Sequence, residues 1–173
     1  MQFKLKKYII RSWKKEDAPV IAKYANNRSI WLNLRDGFPH PYSIDDANKF
    51  IANALAKKPE TYFAIGSRKE AIGSIGLTIG QDVHRYTAEI GYWLAEPFWG
   101  QGIMTEAVQL FAEYAFKKYD LNRIYAEPYT TNSASSRVLE KAGFLYEGRL
   151  KANVFKDGKI LDQFIFAKTI PAF

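Results

Sequence analysis

The sequence predicts an α+β fold, a mixed and mostly antiparallel central sheet flanked by helices, and three observations carry that prediction. Residues 61–66 (TYFAIG), 71–79 (AIGSIGLTI) and 86–95 (YTAEIGYWLA) are rich in aromatic and β-branched residues and separated by turn-forming segments, so they read as three successive strands. Residues 102–118 then change period: Glu106, Gln109, Glu113 and Lys117 mark one polar stripe and apolar residues occupy the rest of the circumference, the pattern of a helix buried on most of its surface. On either side of this block strand-like and helix-like segments alternate, which places helices on the faces of one sheet.

Residues 8–13 (YIIRSW) read as a first strand, and Lys15 to Asn26 as a helix whose Glu16, Asp17 and Pro19 suit a first turn. From Arg28 to Tyr42, Trp31, Leu32, Phe38, His40 and Tyr42 stand among Gly37, Pro39 and Pro41, the composition of an ordered loop. Ser43 then opens a capped helix, its oxygen accepting from the amide three residues on. Asp45 and Asp46 sit at the positive end of that helix, and Ala47, Phe50, Ile51, Ala54 and Leu55 form its buried stripe. After the helix at 102–118 come a short strand, RIYAEP (123–128), a helix from Asn132 as cap to Gly143 as its left-handed end, and a strand from Phe144 to Leu150. Val154 to Ala167 closes as a hairpin about Asp157-Gly158, a dipeptide that tolerates a type I′ turn. The order is βααβββαβαββ.

A chain of 173 residues, 47% of them hydrophobic, accommodates one domain with a single core, taken as residues 1–173. The absence of cysteine excludes a disulfide scaffold, a thiolate metal site and a cysteine nucleophile, and two isolated histidines, His40 and His84, argue against a metal site. No apolar run is long enough for a signal-peptide core or a membrane span, so a soluble, cytoplasmic protein without a membrane partner is expected. The net charge of +7 is spread over scattered pairs such as Lys6-Lys7, Lys14-Lys15, Lys57-Lys58 and Lys117-Lys118, which argues against a nucleic-acid partner and suits a phosphate-bearing cofactor.

The most informative stretch is Glu89 to Glu106, where a strand runs through a short glycine-containing loop straight into the long helix. Gly100 and Gly102 let backbone amides approach a phosphate closely, and the unpaired amides of Ile103, Met104 and Thr105 add the positive end of the helix dipole. The Lys-Ser/Thr pair of a Walker loop and the three glycines of a dinucleotide fingerprint are both missing. On spacing alone, glycines that serve only a tight turn explain the segment equally well.

Five blocks carry a resemblance: the R-S-W opening, P-Y-S-I-D-D-A, A-E-I-G-Y-W-L, W-G-Q-G-I-M-T-E-A and N-S-A-S-S-R-V-L-E-K-A-G-F. With these, the chain resembles over nearly its whole length the GNAT superfamily of acyl-CoA N-acyltransferases, and within it the RimJ/RimL-like branch of ribosomal-protein N-terminal acetyltransferases. The resemblance implies a GNAT fold with strands 89–95 and 123–128 splayed, acetyl-CoA as cosubstrate, no metal, and a pyrophosphate held by main-chain amides of Trp99, Gly100, Gln101, Gly102, Ile103, Met104 and Thr105. The family pattern Q/R-x-x-G-x-G/A places Trp99 at Q/R, Gly102 at the first Gly and Met104 at Gly/Ala, so two of its three positions depart here. It also implies that pantetheine pairs with main-chain groups near Trp93, Leu94 and Ala95 and meets the side-chain amide of Asn132, which has an ordinary role as a helix cap besides.

An acyl transfer to an amine needs a base, an oxyanion donor and a proton for the leaving thiolate. The resemblance points to Glu89 as base, with Glu127 as the alternative, and to a strand amide near Leu94 for the oxyanion. The leaving-group tyrosine of many relatives is Leu139 here, and Ser135, three residues beyond Asn132, matches the branch either as acid or as a contact to sulfur. The acceptor side brings in Trp31, Asn33, Arg35, Phe38, Tyr42 and Tyr129. The function expected is acetyl-CoA-dependent N-acetylation of a primary amine by direct attack in a ternary complex. A protein N-terminus, ribosomal or other, is the first choice of acceptor. A small amine such as a polyamine or aminoglycoside is the alternative, and a non-catalytic basic binding module the lesser one.

Overall fold

The computed structural model describes residues 2–170, and the elements run β1 (Gln2–Lys4), β2 (Ile9–Arg11), α1 (Ala18–Ala25), α2 (Arg28–Trp31), α3 (Ile44–Ala56), β3 (Tyr62–Gly66), β4 (Ala71–Ile79), β5 (Thr87–Leu94), α4 (Ile103–Lys118), β6 (Arg123–Ala126), α5 (Ser133–Lys141), β7 (Leu145–Lys156) and β8 (Lys159–Thr169). The strands form one eight-stranded mixed sheet in the order β1-β2-β3-β4-β5-β6-β8-β7. β5 and β6 are parallel, while β1–β2, β2–β3, β3–β4, β6–β8 and β7–β8 are antiparallel. Among the described residues no helix is long and apolar enough to cross a membrane.

The chain divides into two compact units. The first comprises the residues up to Gly76 together with Tyr92–Ile103. Its core gathers Trp13, Ile21, Tyr42, Ile51 and Ala64, with Phe38, Phe50 and Trp93 packed against it. A buried ion pair stands beside this core: Arg11 Nη1 and Nη2 donate to the two carboxylate oxygens of Asp17, each at 2.7 Å, and Arg11 Nε donates to the Ser67 carbonyl at 2.9 Å. Asp17 also accepts the Lys14 amide at 2.9 Å, so both charges are taken up by several partners, the condition under which burial of an ion pair is tolerated. α3 begins as its sequence requires. The Ser43 hydroxyl accepts the Asp46 amide at 3.2 Å and the Asp46 carboxylate accepts the Ser43 amide at 2.9 Å, a closed capping box.

The second unit comprises Leu77–Gly91 and the residues from Met104 onward. α4 buries Ala107, Val108, Phe111, Ala112 and Ala115 completely, as its broad apolar face predicts. Asn132 caps α5 by accepting the Ser135 amide at 3.1 Å, and Gly143 past its end has φ +84°, a conformation open to glycine at little cost. Asp157 and Gly158 both have positive φ, +51° and +75°, the requirement of a type I′ turn between β7 and β8.

Four expectations change. β1 was not foreseen because a three-residue edge strand leaves no alternation to detect. The first helix starts at Ala18 behind a single 3-10 turn, Lys15–Asp17, since the Asp17 side chain is turned back to Arg11 and Lys14. The segment read as a loop contains one helical turn, α2, closed by Asn27, whose side-chain oxygen accepts the amides of Ser29 at 2.8 Å and Ile30 at 3.3 Å. β7 runs unbroken from Leu145 to Lys156 where a break at 150–154 was expected. The irregularity is absorbed as a bulge at Ala152, φ +51°, whose amide donates to Asp162 at 2.7 Å.

Candidate functional site

The loop singled out by its glycines lies at the end of β5. Leu94 closes the strand, a 3-10 turn spans Glu96–Phe98, Gly100 and Gly102 follow with φ of +72° and +75°, and α4 starts at Ile103. Among the described residues, no heavy atom beyond each glycine and its chain neighbours lies within 4 Å of a Cβ built on it, so the space above both is open. Trp99, Gly100, Gln101 and Gly102 are exposed, whereas the side chains of Ile103 and Met104 are buried. A bulky residue at 104 therefore leaves the loop surface clear. The first-turn amides of α4 lack intrahelical acceptors by construction. An anionic group such as the pyrophosphate of CoA fits these features.

The three residues offered as pantetheine partners separate by backbone direction. The Ala95 amide donates to the Ile72 carbonyl at 2.8 Å and the Ala95 carbonyl accepts the Phe98 amide at 3.0 Å, so both its main-chain groups are engaged within the protein. The Trp93 carbonyl also faces β4, since a Cβ on Gly73 would stand 2.4 Å from it. Main-chain groups alternate in direction along a strand, so the Leu94 amide points away from β4. The Leu94 carbonyl shares that side and accepts the Trp99 indole Nε1–H at 2.7 Å.

Glu89 occupies β5 opposite Tyr125 of β6, at the last position of the parallel register Thr87↔Arg123 to Glu89↔Tyr125, and is half-buried between the buried Ala88 and Ile90. In the same unit Glu127 follows β6, and its carbonyl accepts Gln163 Nε2 at 2.9 Å. Asn132 uses its side-chain oxygen for the cap, which leaves the amide half of that side chain as the part suited to a ligand carbonyl. Ser135 is half-buried in the first turn of α5.

Of the acceptor candidates, Trp31 stacks on His40 with ring centroids 5.6 Å apart and has the Arg28 guanidinium over its ring at 5.9 Å. Asn33 donates to the Ser29 carbonyl at 2.9 Å, and Arg35 is exposed. Phe38 packs between Tyr42, 4.7 Å away, and Trp93, 5.8 Å away. Tyr42 is buried among them, and burial first, then the Asp46 charge, pushes its hydroxyl up to about 12, so it stays neutral. Tyr129 is buried and bridges to Gln163.

Sequence reasoning missed the fastening around that last residue. Gln163, 4% exposed, joins the Glu127 carbonyl to the Asn153 side chain, whose Nδ2 donates to Gln163 Oε1 at 2.6 Å. Asp162 accepts Arg149 Nε at 2.6 Å besides the Ala152 amide, which holds its carboxyl below the usual range. A polar pair, D-Q, in the middle of a hydrophobic closing strand was the signal available.

A strand that ends in a glycine turn and opens a helix, on a mixed sheet in which β5 and β6 run parallel, is the fold that the sequence resemblance implies. Comparison with known proteins makes the class specific. The family profile described as an acetyltransferase (GNAT) domain matches residues 7–145. The chain is 39% identical over 131 residues to the probable N-acetyltransferase YjcK of Bacillus subtilis, covering 73% of this chain and 72% of that one. It is 33% identical over 144 residues to the ribosomal-protein-serine acetyltransferase of Escherichia coli, covering 81% and 80%. Its fold superposes with a TM-score of 0.87, at 22% identity and 98% coverage of both chains, on RimL, a ribosomal L7/L12 α-N-protein acetyltransferase solved with coenzyme A. The chain belongs to the GNAT acetyltransferase family: it is an N-acetyltransferase that uses acetyl-CoA as cosubstrate and an amine as acceptor. Among the described residues no group of three or more His, Asp or Glu side chains is placed to hold a metal ion.

Proposed function

We propose that the acceptor is a protein N-terminal α-amine and that the amine attacks the acyl carbon directly in a ternary complex. The acceptor class is supported by the 33% identical relative named for ribosomal-protein serine, which spans most of both chains. The observation that carries the cosubstrate side is the direction of the Leu94 amide, a strand donor facing away from β4 just before the glycine loop.

Under this reading the amides of Gly100 through Thr105 hold pyrophosphate, the Trp99 amide being taken by the Glu96 carbonyl at 3.1 Å, and the Asn132 side-chain amide contacts pantetheine. Acetyl-CoA supplies the activated acyl group as a thioester. The chain's own groups do the rest. Glu89, or Glu127 in its place, takes the proton of the incoming ammonium directly or through water, which makes the nitrogen lone pair available. The Leu94 N–H donates to the acyl oxygen as negative charge grows on it, a fixed main-chain donor that needs no reorganisation. Ser135 donates its hydroxyl proton toward sulfur as the thiolate leaves. With no cysteine to carry an acyl group, attack within the ternary complex is sufficient.

Thiol release from acetyl-CoA, measured against peptides with free Ala, Ser or Met N-termini and against a panel of polyamines and aminoglycosides, tests the acceptor. Turnover on peptides that is lost when the N-terminus is blocked is the expected result. Turnover on the small amines alone overturns the peptide reading and replaces it with a small-molecule acetyltransferase.

A further inference from the structure

The glycine loop does not hold itself: its entry is clamped by Trp99. The peptide plane between Leu94 and Ala95 is pinned at both ends, its N–H to the Ile72 carbonyl at 2.8 Å and its C=O to the Trp99 indole at 2.7 Å. In a trans peptide those two groups point in opposite directions, so the two bonds together fix the plane's rotation. Between them the 3-10 turn closes on itself, Phe98 N–H to Ala95 O at 3.0 Å and Trp99 N–H to Glu96 O at 3.1 Å.

Trp99 is 43% exposed, so burial is a poor account of why a tryptophan stands there. Its distinguishing contribution is the one N–H it owns, and that N–H is engaged. The carbonyl it binds lies on the same side of β5 as the Leu94 amide. Left bare, that oxygen would turn a lone pair toward an incoming thioester and its phosphates; the indole donor neutralises it and fixes the strand end from which Gly100 and Gly102 depart.

We propose that Trp99 is a positioning residue for acetyl-CoA, acting through the Leu94 carbonyl on the loop it opens. It stands where the family pattern has Gln or Arg, and its indole N–H goes to the loop's own entry at Leu94. The proposal rests on reading 99–105 as the CoA loop, and the experiment separates the two.

Amide hydrogen exchange of the wild-type protein with and without CoA tests the loop: slowed exchange over 100–105 is expected, and its absence there overturns both the loop and the role of Trp99. Trp99→Phe keeps a ring and removes the N–H. The expected result is a KM for acetyl-CoA raised about fivefold, the usual weight of one neutral hydrogen bond, with kcat and the acceptor KM within about twofold of wild type. An unchanged acetyl-CoA KM while 100–105 remain protected overturns the role of Trp99 alone. Equal changes in both KM values with a lowered melting temperature also overturn it, because they mark a merely structural residue. Should the variant fail to fold, the Trp99 indole proton of the wild type decides: slow exchange that slows further with CoA supports the clamp, and fast exchange in both states overturns it.

Discussion

The loop at 94–103 and the segment at 27–42, proposed for the cosubstrate and for the acceptor respectively, are both stretches of the first unit built on opposite terms. The first is main chain almost throughout: two positive-φ glycines, an exposed backbone, and side chains at 103 and 104 turned into the interior. The second is made of side chains, with Trp31 stacked on His40 and with Phe38 and Tyr42 packed against Trp93. Under the proposed function, a ligand shared by a whole family would be met by groups every residue owns, and a ligand that varies by groups each sequence chooses. The consequence is that substitution should be felt through backbone conformation in one place and through side-chain identity in the other.

The largest effect on acetyl-CoA binding should come from Gly102→Val. A β-branched residue at φ +75° is strained, and its side chain enters the open space above the loop. The KM for acetyl-CoA should rise about 100-fold, the weight of two charge-assisted hydrogen bonds, while the acceptor KM stays put. A rise of the acceptor KM instead would erase the contrast between the two regions. Glu89→Gln and Ser135→Ala should each lower kcat by about 10 to 1,000-fold with acetyl-CoA binding retained, measured by steady-state kinetics beside CoA titration. Wild-type turnover in either removes that residue from the chemistry.

Trp31→Ala sharpens the other side. Loss of one aromatic surface should raise the acceptor KM about tenfold and leave the acetyl-CoA KM alone, with a different ranking of N-terminal residues in the peptide panel. The smallest effect is one of pH, at the end of the same segment. Hydrogen bonds from Ser43 hold the Asp46 carboxyl below the ordinary carboxylate value of about 3.9. A folded value below the unfolded one means the capping box contributes at pH above about 4 and loses its contribution as pH falls through the folded value. An NMR titration of Asp46 should show the depressed value in the wild type and its return toward the ordinary one in Ser43→Ala; an unchanged midpoint would show that Ser43 is not its cause.

Legibility followed range. The box at Ser43, the cap at Asn132 and the turn at Asp157-Gly158 lie within four residues of their partners, and the sequence states each of them. The one-turn helix at Arg28–Trp31 was stated too, in Asn27 followed by Ser29, but the surrounding prolines and aromatics masked it. In the loop, the glycines at 100 and 102 were legible and the clamp before them was not. Nothing local announces that the Trp99 indole turns back to Leu94, or that Gln163 reaches Glu127 across 36 residues.

The sequence by itself therefore determined where the backbone must turn left-handed, where helices begin and which faces are apolar, because those depend on the steric and hydrogen-bonding character of neighbours in the chain. Only the tertiary structure decided which main-chain groups remain for a ligand. In a strand every residue carries the same donor and acceptor, and the difference between Leu94, whose amide points away from β4, and Ala95, whose amide and carbonyl are both bonded, is made by the strand paired alongside and by the turn that follows.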